Sequence, residues 1–244
     1  MIVKKIFNKL FPYRESLAHY QALRREIQEV IKANVFHDSI TDLAWVKRKN
    51  FSPHGAAANY SFLYLLVAVL STIKPKMILE SGIGQSSKLT TQYVTYGNTE
   101  SVLTLIENNQ FWLNVFRAEL ALCERVKFLL CDQVQIQYKN DISYGYKDLV
   151  GSLVDHKFGL IINDGPDGST HYSRIWILDL LQNHLADKFV IILDDCDRLG
   201  EREMAYEVMS KLTELGIKHE YTIFKGIKHQ FVIYSPEYNF LKTL

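Results

Sequence analysis

From residue 77 onward the apolar positions come in short blocks, rich in β-branched residues and separated by longer stretches of helical character. The blocks are MILES (77–81), VLTLI (102–106), VKFLL (126–130), FGLIIN (158–163) and FVIILD (189–194). They are apolar on both faces, as strands buried on both sides are. Residues 86–96, 109–122 and 172–185, lying between them, read as helices. Such alternation builds a parallel sheet covered by helices. Past a further helix at about 201–215, KHEYTIF and HQFVIYS flank the tight connector KGIK. They predict a terminal β-hairpin that must join the sheet antiparallel. The expectation is an α/β sheet of five parallel strands and a closing hairpin.

Upstream, residues 14–34 place Leu17, Tyr20, Leu23, Ile27, Val30 and Ile31 at helical spacing and predict an amphipathic helix. FSPHGAAANYSFLYLLVAVLSTI then reads as a Pro/Gly turn followed by a buried helix that stops near Pro75. The turn has two readings. Ser52 and Pro53 can be the cap and first residue of that helix. Alternatively, Pro53, His54, Gly55 and Asn59 can form a lid over a ligand, with His54 available as a base. Residues 1–50 are expected as an N-terminal helical extension and 51–244 as the main domain.

In a parallel sheet of this kind, ligands collect beyond the carboxyl ends of the strands. Every parallel block here delivers a polar residue to that edge. The first opens into ESGIGQSS, where Gly82 and Gly84 let the backbone turn tightly and approach a ligand. The second ends in Glu107, an acid placed to accept the hydroxyls of a ribose. Asp132, Asp164 and the pair Asp194–Asp195 end the other three. Three carboxylates meeting at neighbouring strand ends repel one another unless protonated or bridged by a cation. Hard oxygen donors with open positions suit Mg²⁺.

Composition narrows the classes. The 244 residues carry 28 lysines and arginines against 27 acids, a formal charge of +1, so no basic field argues for nucleic acid. Cys123, Cys131 and Cys196 lack CxxC spacing and read as reduced thiols of a cytoplasmic protein. FLYLLVAVL (62–70) is too short to cross a bilayer. The basic and apolar start, MIVKKIFNKLFPY, has no leader-like cleavage pattern; it either packs on its own domain or lies weakly on an anionic membrane surface. A homo-oligomer stays open.

With ILESGIGQSS, LIENN, LLCDQ, LIINDGPDG, FVIILDD and the hairpin together, residues 50–235 resemble the class I S-adenosylmethionine-dependent methyltransferases. Glu80 ahead of the glycines, the hairpin, and Ser87 in place of a third glycine separate the pattern from an NAD-binding domain. The resemblance implies a Rossmann-like, seven-stranded, mostly parallel sheet. It also implies that S-adenosylmethionine is held by Glu80, Gly82, Gly84, Glu107, Asn108, Asp132, Gln133 and Asp164. Within that set, the backbone around the two glycines takes the amino-acid end, Glu107 the ribose, and Asp132 with Gln133 the adenine border.

Asp164, Asp194 and Asp195 further resemble the Mg²⁺ ligands of metal-dependent sugar and catechol-type O-methyltransferases, where the ion holds the acceptor's hydroxyls. Those sugar enzymes often place an acidic base two residues after the first ligand; Pro166 stands there in this chain. His171 and Asp167 are the nearest candidates, and an imidazole titrates near working pH. A looser likeness to methyltransferase-like proteins of bacterial polysaccharide loci implies a small-molecule or glycan acceptor. Arg174, Arg198 and Arg202 either face an anionic substrate or pair with local acids such as Glu201 and Glu203. Two alternatives share the fold: a different metal-dependent reaction, or a non-catalytic partner protein.

Overall fold

The fold is that of a computed structural model describing residues 2–244 apart from 54, 56, 121 and 154, with side chains from Ser16 onward. Helix α1 (Ile2–Ser39) is followed by an irregular stretch, α2 (Tyr60–Ile73) and β1 (Met77–Ser81). Helix α3 (Gln85–Gln92), with a π-helical turn at Tyr93–Gly97, leads to β2 (Val102–Glu107), α4 (Gln110–Glu119) and β3 (Val126–Leu130). A hairpin of β4 (Gln133–Tyr138) and β5 (Asp141–Tyr146) and the single turn α5 (Leu149–Ser152) precede β6 (Phe158–Asn163). A 3-10 segment (Ile175–Leu180) leads to β7 (Leu185–Leu193), α6 (Leu199–Glu214), and the closing strands β8 (Glu220–Lys225) and β9 (His229–Tyr234).

The seven-stranded sheet has the order β3-β2-β1-β6-β7-β9-β8. Its first five strands pair parallel, and β9 joins β7 antiparallel. The period-2 alternation of each strand divides the apolar side chains between two cores. Ile78, Leu105, Ile162 and Ile192 face α2, α3 and α4, while Leu79, Ile161, Ile191 and Phe231 face α6 and the 3-10 segment. Blocks apolar on both faces are what this sandwiching requires.

Four features differ from the sequence expectation. First, residues 172–185 do not form an α-helix. Tyr172 and Arg174 take left-handed φ values of 46° and 56°, and Ile175–Leu180 closes as a short 3-10 turn. Ion pairs formed by Arg174, described below, fix its backbone against helical propensity. Second, the buried helix follows the turn as expected, but it is not capped at Ser52 and Pro53: α2 begins at Tyr60, with extended Asn59 (φ −79°, ψ 170°) at its cap position. His54, suggested as a base, lies outside the described residues.

Third, the helix expected over 14–34 forms within α1, but its apolar stripe does not enter the core. Tyr20, Ile27, Val30 and Ile31 are each more than half exposed. The helix is anchored by other residues. Phe36 and Ile40 enter the core, and buried Glu29 accepts from the amides of Tyr60 and Ser61 and from Asn59 Nδ2, capping α2 from outside. Fourth, the β4–β5 hairpin was not anticipated, although QVQIQY alternates with period 2 and Lys139–Asn140 makes the two-residue turn. It is tied to α6 through Tyr138 Oη, which donates to Glu207 at 2.5 Å.

Among the described residues no helix is long and apolar enough to cross a membrane. All three cysteines are free thiols.

Candidate active site

The chain runs outward from β1 to β3 on one side and then returns to build β6 and β7 on the other. A crevice must open beyond the carboxyl ends where the order reverses, between β1 and β6. There the loop after β1 crosses the loop after β6 at closest backbone approach. Gly82 has φ +83°, and a Cβ on it would lie 2.6 Å from the carbonyl oxygen of Asp164. Its own amide donates to Ile106 O at 3.1 Å, which pins the turn to β2.

Glu80 stands one turn beneath, fully buried, accepting from Ser87 Oγ at 2.8 Å and Thr90 Oγ1 at 2.6 Å. The same Ser87 Oγ accepts from the Gly84 amide, so Glu80 locks the first turn of α3 below the glycines. Named among the cofactor residues from sequence, it instead supports the loop and does not line the cleft. Burial raises its pKa, because desolvation penalises the charged form more than the three serine and threonine hydroxyls favour it. A carboxyl raised on folding contributes stability below its unfolded pKa and loses it as pH rises. Urea midpoints of the wild type should therefore fall from about pH 5 toward neutrality. Glu80→Gln should flatten that slope while staying within about 1 kcal/mol at the acid end. An unchanged slope would place the pH dependence elsewhere.

The cleft above has a volume of about 550 Å³. Gly82, Gly84, Glu107, Asn108, Asp164 and Asp167, all singled out from the sequence, line it. Glu107 is nearly buried and accepts from the amides of Ile83 (3.2 Å), Asn108 (2.9 Å) and Asn109 (2.8 Å), which fixes its carboxylate and leaves lone pairs for a ligand hydroxyl. Asp132 is exposed and outside the lining. Gln133 reaches the cleft only through Asn108 Nδ2, which donates to its Oε1 at 3.1 Å.

Sequence reasoning missed Trp112 and Tyr146, which also line the cleft. Trp112 Nε1 donates to Ile83 O at 2.7 Å, which holds an exposed indole face at the rim. An aromatic two residues into α4, right after the acid-bearing ENN, was the available signal.

A second cavity of about 940 Å³ adjoins the first, and Gly168 and Arg198 line both. It lies between the β4–β5 hairpin and the start of α6, with Gln135, Tyr144 and Thr170 in its wall. His171 lines this cavity rather than the cleft. Its Nδ1 lies 3.0 Å from Glu203 Oε2. Arg202, suggested as a substrate contact, donates to the backbone of Asp197 instead.

At the far wall of the cleft, Asp164, Asp194 and Asp195 bring one oxygen each within 4.8 Å of one another. Protein cations stand among them. Arg174 lies 3.2 Å from Asp164 and 3.3 Å from Asp195, with Nε donating to Pro166 O. Lys228 lies 3.3 Å from Asp195 and 3.9 Å from Asp194. Arg198, half exposed, adds a contact of 3.1 Å to Asp195. Gln230 Nε2 donates to Asp194 at 2.7 Å and to Asn59 at 3.0 Å, continuing the network to Glu29 on α1. Burial, then the charge of Asp194, pushes the Asp164 carboxyl well above the usual carboxylate range. Burial opposes the charge on Arg174, but Asp164 and Asp195 outweigh it, so the guanidinium stays ionised.

No protein-family model and no curated protein matches the sequence. Solved structures do match in shape. A Klebsiella pneumoniae protein assigned as an O-methyltransferase aligns over 85% of this chain and 98% of its own, at 15% identity and a TM-score of 0.50. A Geobacter sulfurreducens methyltransferase aligns over 74% and 81%, at 15% identity and 0.50. The chain has the class I methyltransferase fold. A Podospora anserina methyltransferase solved with S-adenosylhomocysteine aligns over 90% and 95%, at 14% identity and 0.48.

The residues of this class I methyltransferase fold suit S-adenosylmethionine. A side-chain-free turn at Gly82, a fixed buried carboxylate at Glu107, an exposed indole at Trp112 and the cleft volume answer to its polar, sugar and aromatic parts. The carboxylate cluster does not suit a divalent ion. Arg174, Lys228 and Arg198 already stand against the three carboxylates, with buried Glu201 sharing Arg198, and they approach the oxygens a metal would need.

Proposed function

We propose that the protein is an S-adenosylmethionine-dependent methyltransferase that methylates a hydroxyl oxygen of a small-molecule or glycan acceptor. The supporting observation is the single cleft onto which Gly82, Glu107 and Asp164 converge from three different strand ends. Bound there, the cofactor supplies an electrophilic methyl group on a sulfonium, open to in-line attack by oxygen. The Gly82–Gly84 backbone takes its amino-acid end, Glu107 accepts from the ribose hydroxyls, and Asn108, held by Gln133, borders the adenine. Asp164 faces the reacting end.

The adjoining polar cavity is the acceptor site in this reading. Amide and hydroxyl side chains such as Gln135, Tyr144 and Thr170 suit a hydroxyl-rich molecule better than an apolar one. His171, oriented by Glu203, takes the acceptor's proton at Nε2, with Asp167 on the cleft side as the alternative base. Free thiols at all three cysteines support a cytoplasmic setting.

Isothermal titration with S-adenosylhomocysteine tests the reading directly. The wild type should bind it, and Glu107→Ala should weaken binding by about 1–3 kcal/mol, the range for an unpaired hydrogen-bonding group. No binding by the folded wild type would remove the methyltransferase reading. Equal affinity in the folded variant would remove only the ribose role.

A further inference from the structure

The residues that would present a metal to the acceptor are filled from within. We propose that Arg174, with Lys228 behind it, takes the place of a divalent cation, so that this site binds and activates a single acceptor hydroxyl without metal.

Five of the six carboxylate oxygens of Asp164, Asp194 and Asp195 lie within 4 Å of a protein cation or amide: Asp194 Oδ1 and Asp195 Oδ2 accept hydrogen bonds, whereas Asp194 Oδ2 and Asp195 Oδ1 have only the ammonium of Lys228 in ion-pair range. Buried Glu201 shares Arg198 with Asp195, so with every group ionised the four carboxylates and three cations leave a single negative charge. A divalent ion would then leave an uncompensated positive charge in a largely buried site, within a few ångströms of a guanidinium and an ammonium. Should one aspartate keep its proton, the balance tips further against a metal. Arg174 is held on three sides, by Pro166 O, Asp164 and Asp195, so its orientation is already fixed without a ligand. Its left-handed backbone (φ 56°) is the local distortion that delivers it there. It also lines the cleft.

The catalytic consequence rests on the methyltransferase reading. Arg174 donates to the acceptor oxygen and stabilises the negative charge that develops as the O–H bond breaks. The proton passes to the base, the oxygen–carbon bond forms, and the carbon–sulfur pair stays with the departing neutral thioether. A metal holds an acceptor through two vicinal hydroxyls, whereas a guanidinium needs only one. The acceptor class therefore extends to isolated hydroxyls, such as a sugar position without a free neighbour.

Mn²⁺ electron paramagnetic resonance, paired with thermal melts, tests the site without any turnover assay. Equimolar Mn²⁺ added to the wild type should leave the aquo-ion spectrum at full amplitude and the melting temperature unmoved, with or without chelator. Stoichiometric binding that is lost in Asp195→Asn would overturn the proposal. Arg174→Gln should uncover the carboxylates, so that Mn²⁺ now binds and raises the melting temperature by mass action. If that variant does not fold, Lys228→Met removes the second cation and should gain Mn²⁺ in the same way. Folded variants that still ignore Mn²⁺ would also overturn it. Titration with S-adenosylhomocysteine in parallel reports on the methyltransferase reading separately, since cofactor binding and metal exclusion can each fail alone.

Discussion

Gly82→Ala should lose measurable affinity for S-adenosylhomocysteine and melt well below the wild type. Two costs combine at this position. A φ of +83° strains any residue with a Cβ, by roughly 1–2 kcal/mol. The new carbon would also lie 2.6 Å and 2.9 Å from the carbonyl oxygen and carbon of Asp164. Those neighbours are backbone, so no rotamer change relieves the contact; the β1 and β6 loops must part. A total of about 3 kcal/mol or more follows, at the severe end for one substitution. Parting the loops widens the cleft on its cofactor side, so affinity should fall along with stability. Gly84→Ala is the control. Its φ is extended (−164°) and nothing lies within 4 Å of an added Cβ, so the fold should be unchanged. Calorimetry on both variants decides the point: a Gly82→Ala protein with wild-type stability and affinity would show that the two loops do not meet as described.

His171→Ala should cut turnover about 10²–10⁴-fold while leaving cofactor affinity nearly intact, the usual span for loss of a general base. The ring sits in the wall of the larger cavity, proposed for the acceptor, rather than in the cleft proposed for the cofactor, which is why the two effects should separate. Glu203 holds Nδ1, so Nε2 is the atom left to accept a proton. Activity should return in part at higher pH, where the acceptor ionises unaided. Glu203→Gln should show a milder defect of the same kind, because it disturbs the orientation of the ring and not the proton-accepting atom. The His171 side chain is 39% exposed, so its removal should cost little stability. Single-turnover rates with full retention of activity in a folded His171→Ala protein would transfer the role to Asp167.

Both predictions were within reach of the sequence, but for different reasons. Gly82 is legible because only one residue type has no Cβ, and a glycine straight after an apolar strand marks a backbone that turns sharply. His171 is legible as chemistry, not as place. Its sequence neighbourhood suggested a helix over 172–185 and said nothing of Glu203, 32 positions away on α6. Trp112 and Tyr146 were passed over because an aromatic at helical or strand spacing usually fills a core, and only the sheet geometry turns these two toward a ligand.

What the sequence by itself determined is the α/β sheet with its polar strand ends. Strands apolar on both faces leave few ways to be buried, and β1, β3 and β6 begin and end where the pattern puts them. The same logic explains the carboxylates at the edge, since a charge cannot sit mid-strand in such a sheet without a partner. Three outcomes belonged to tertiary structure alone. Arg174 left the helix its sequence favours because Asp164 and Asp195, just past the ends of β6 and β7, outweigh local propensity. Lys228 and Gln230, from the closing hairpin, completed a charge network with residues more than thirty positions earlier. The stripe on α1 stayed exposed because Glu29 and Phe36, on another face of the helix, and Ile40, just past its end, made the anchoring contacts. Periodicity tells which residues share a face, whereas Coulomb attraction, desolvation and hydrogen bonding act between faces that only the folded chain brings together.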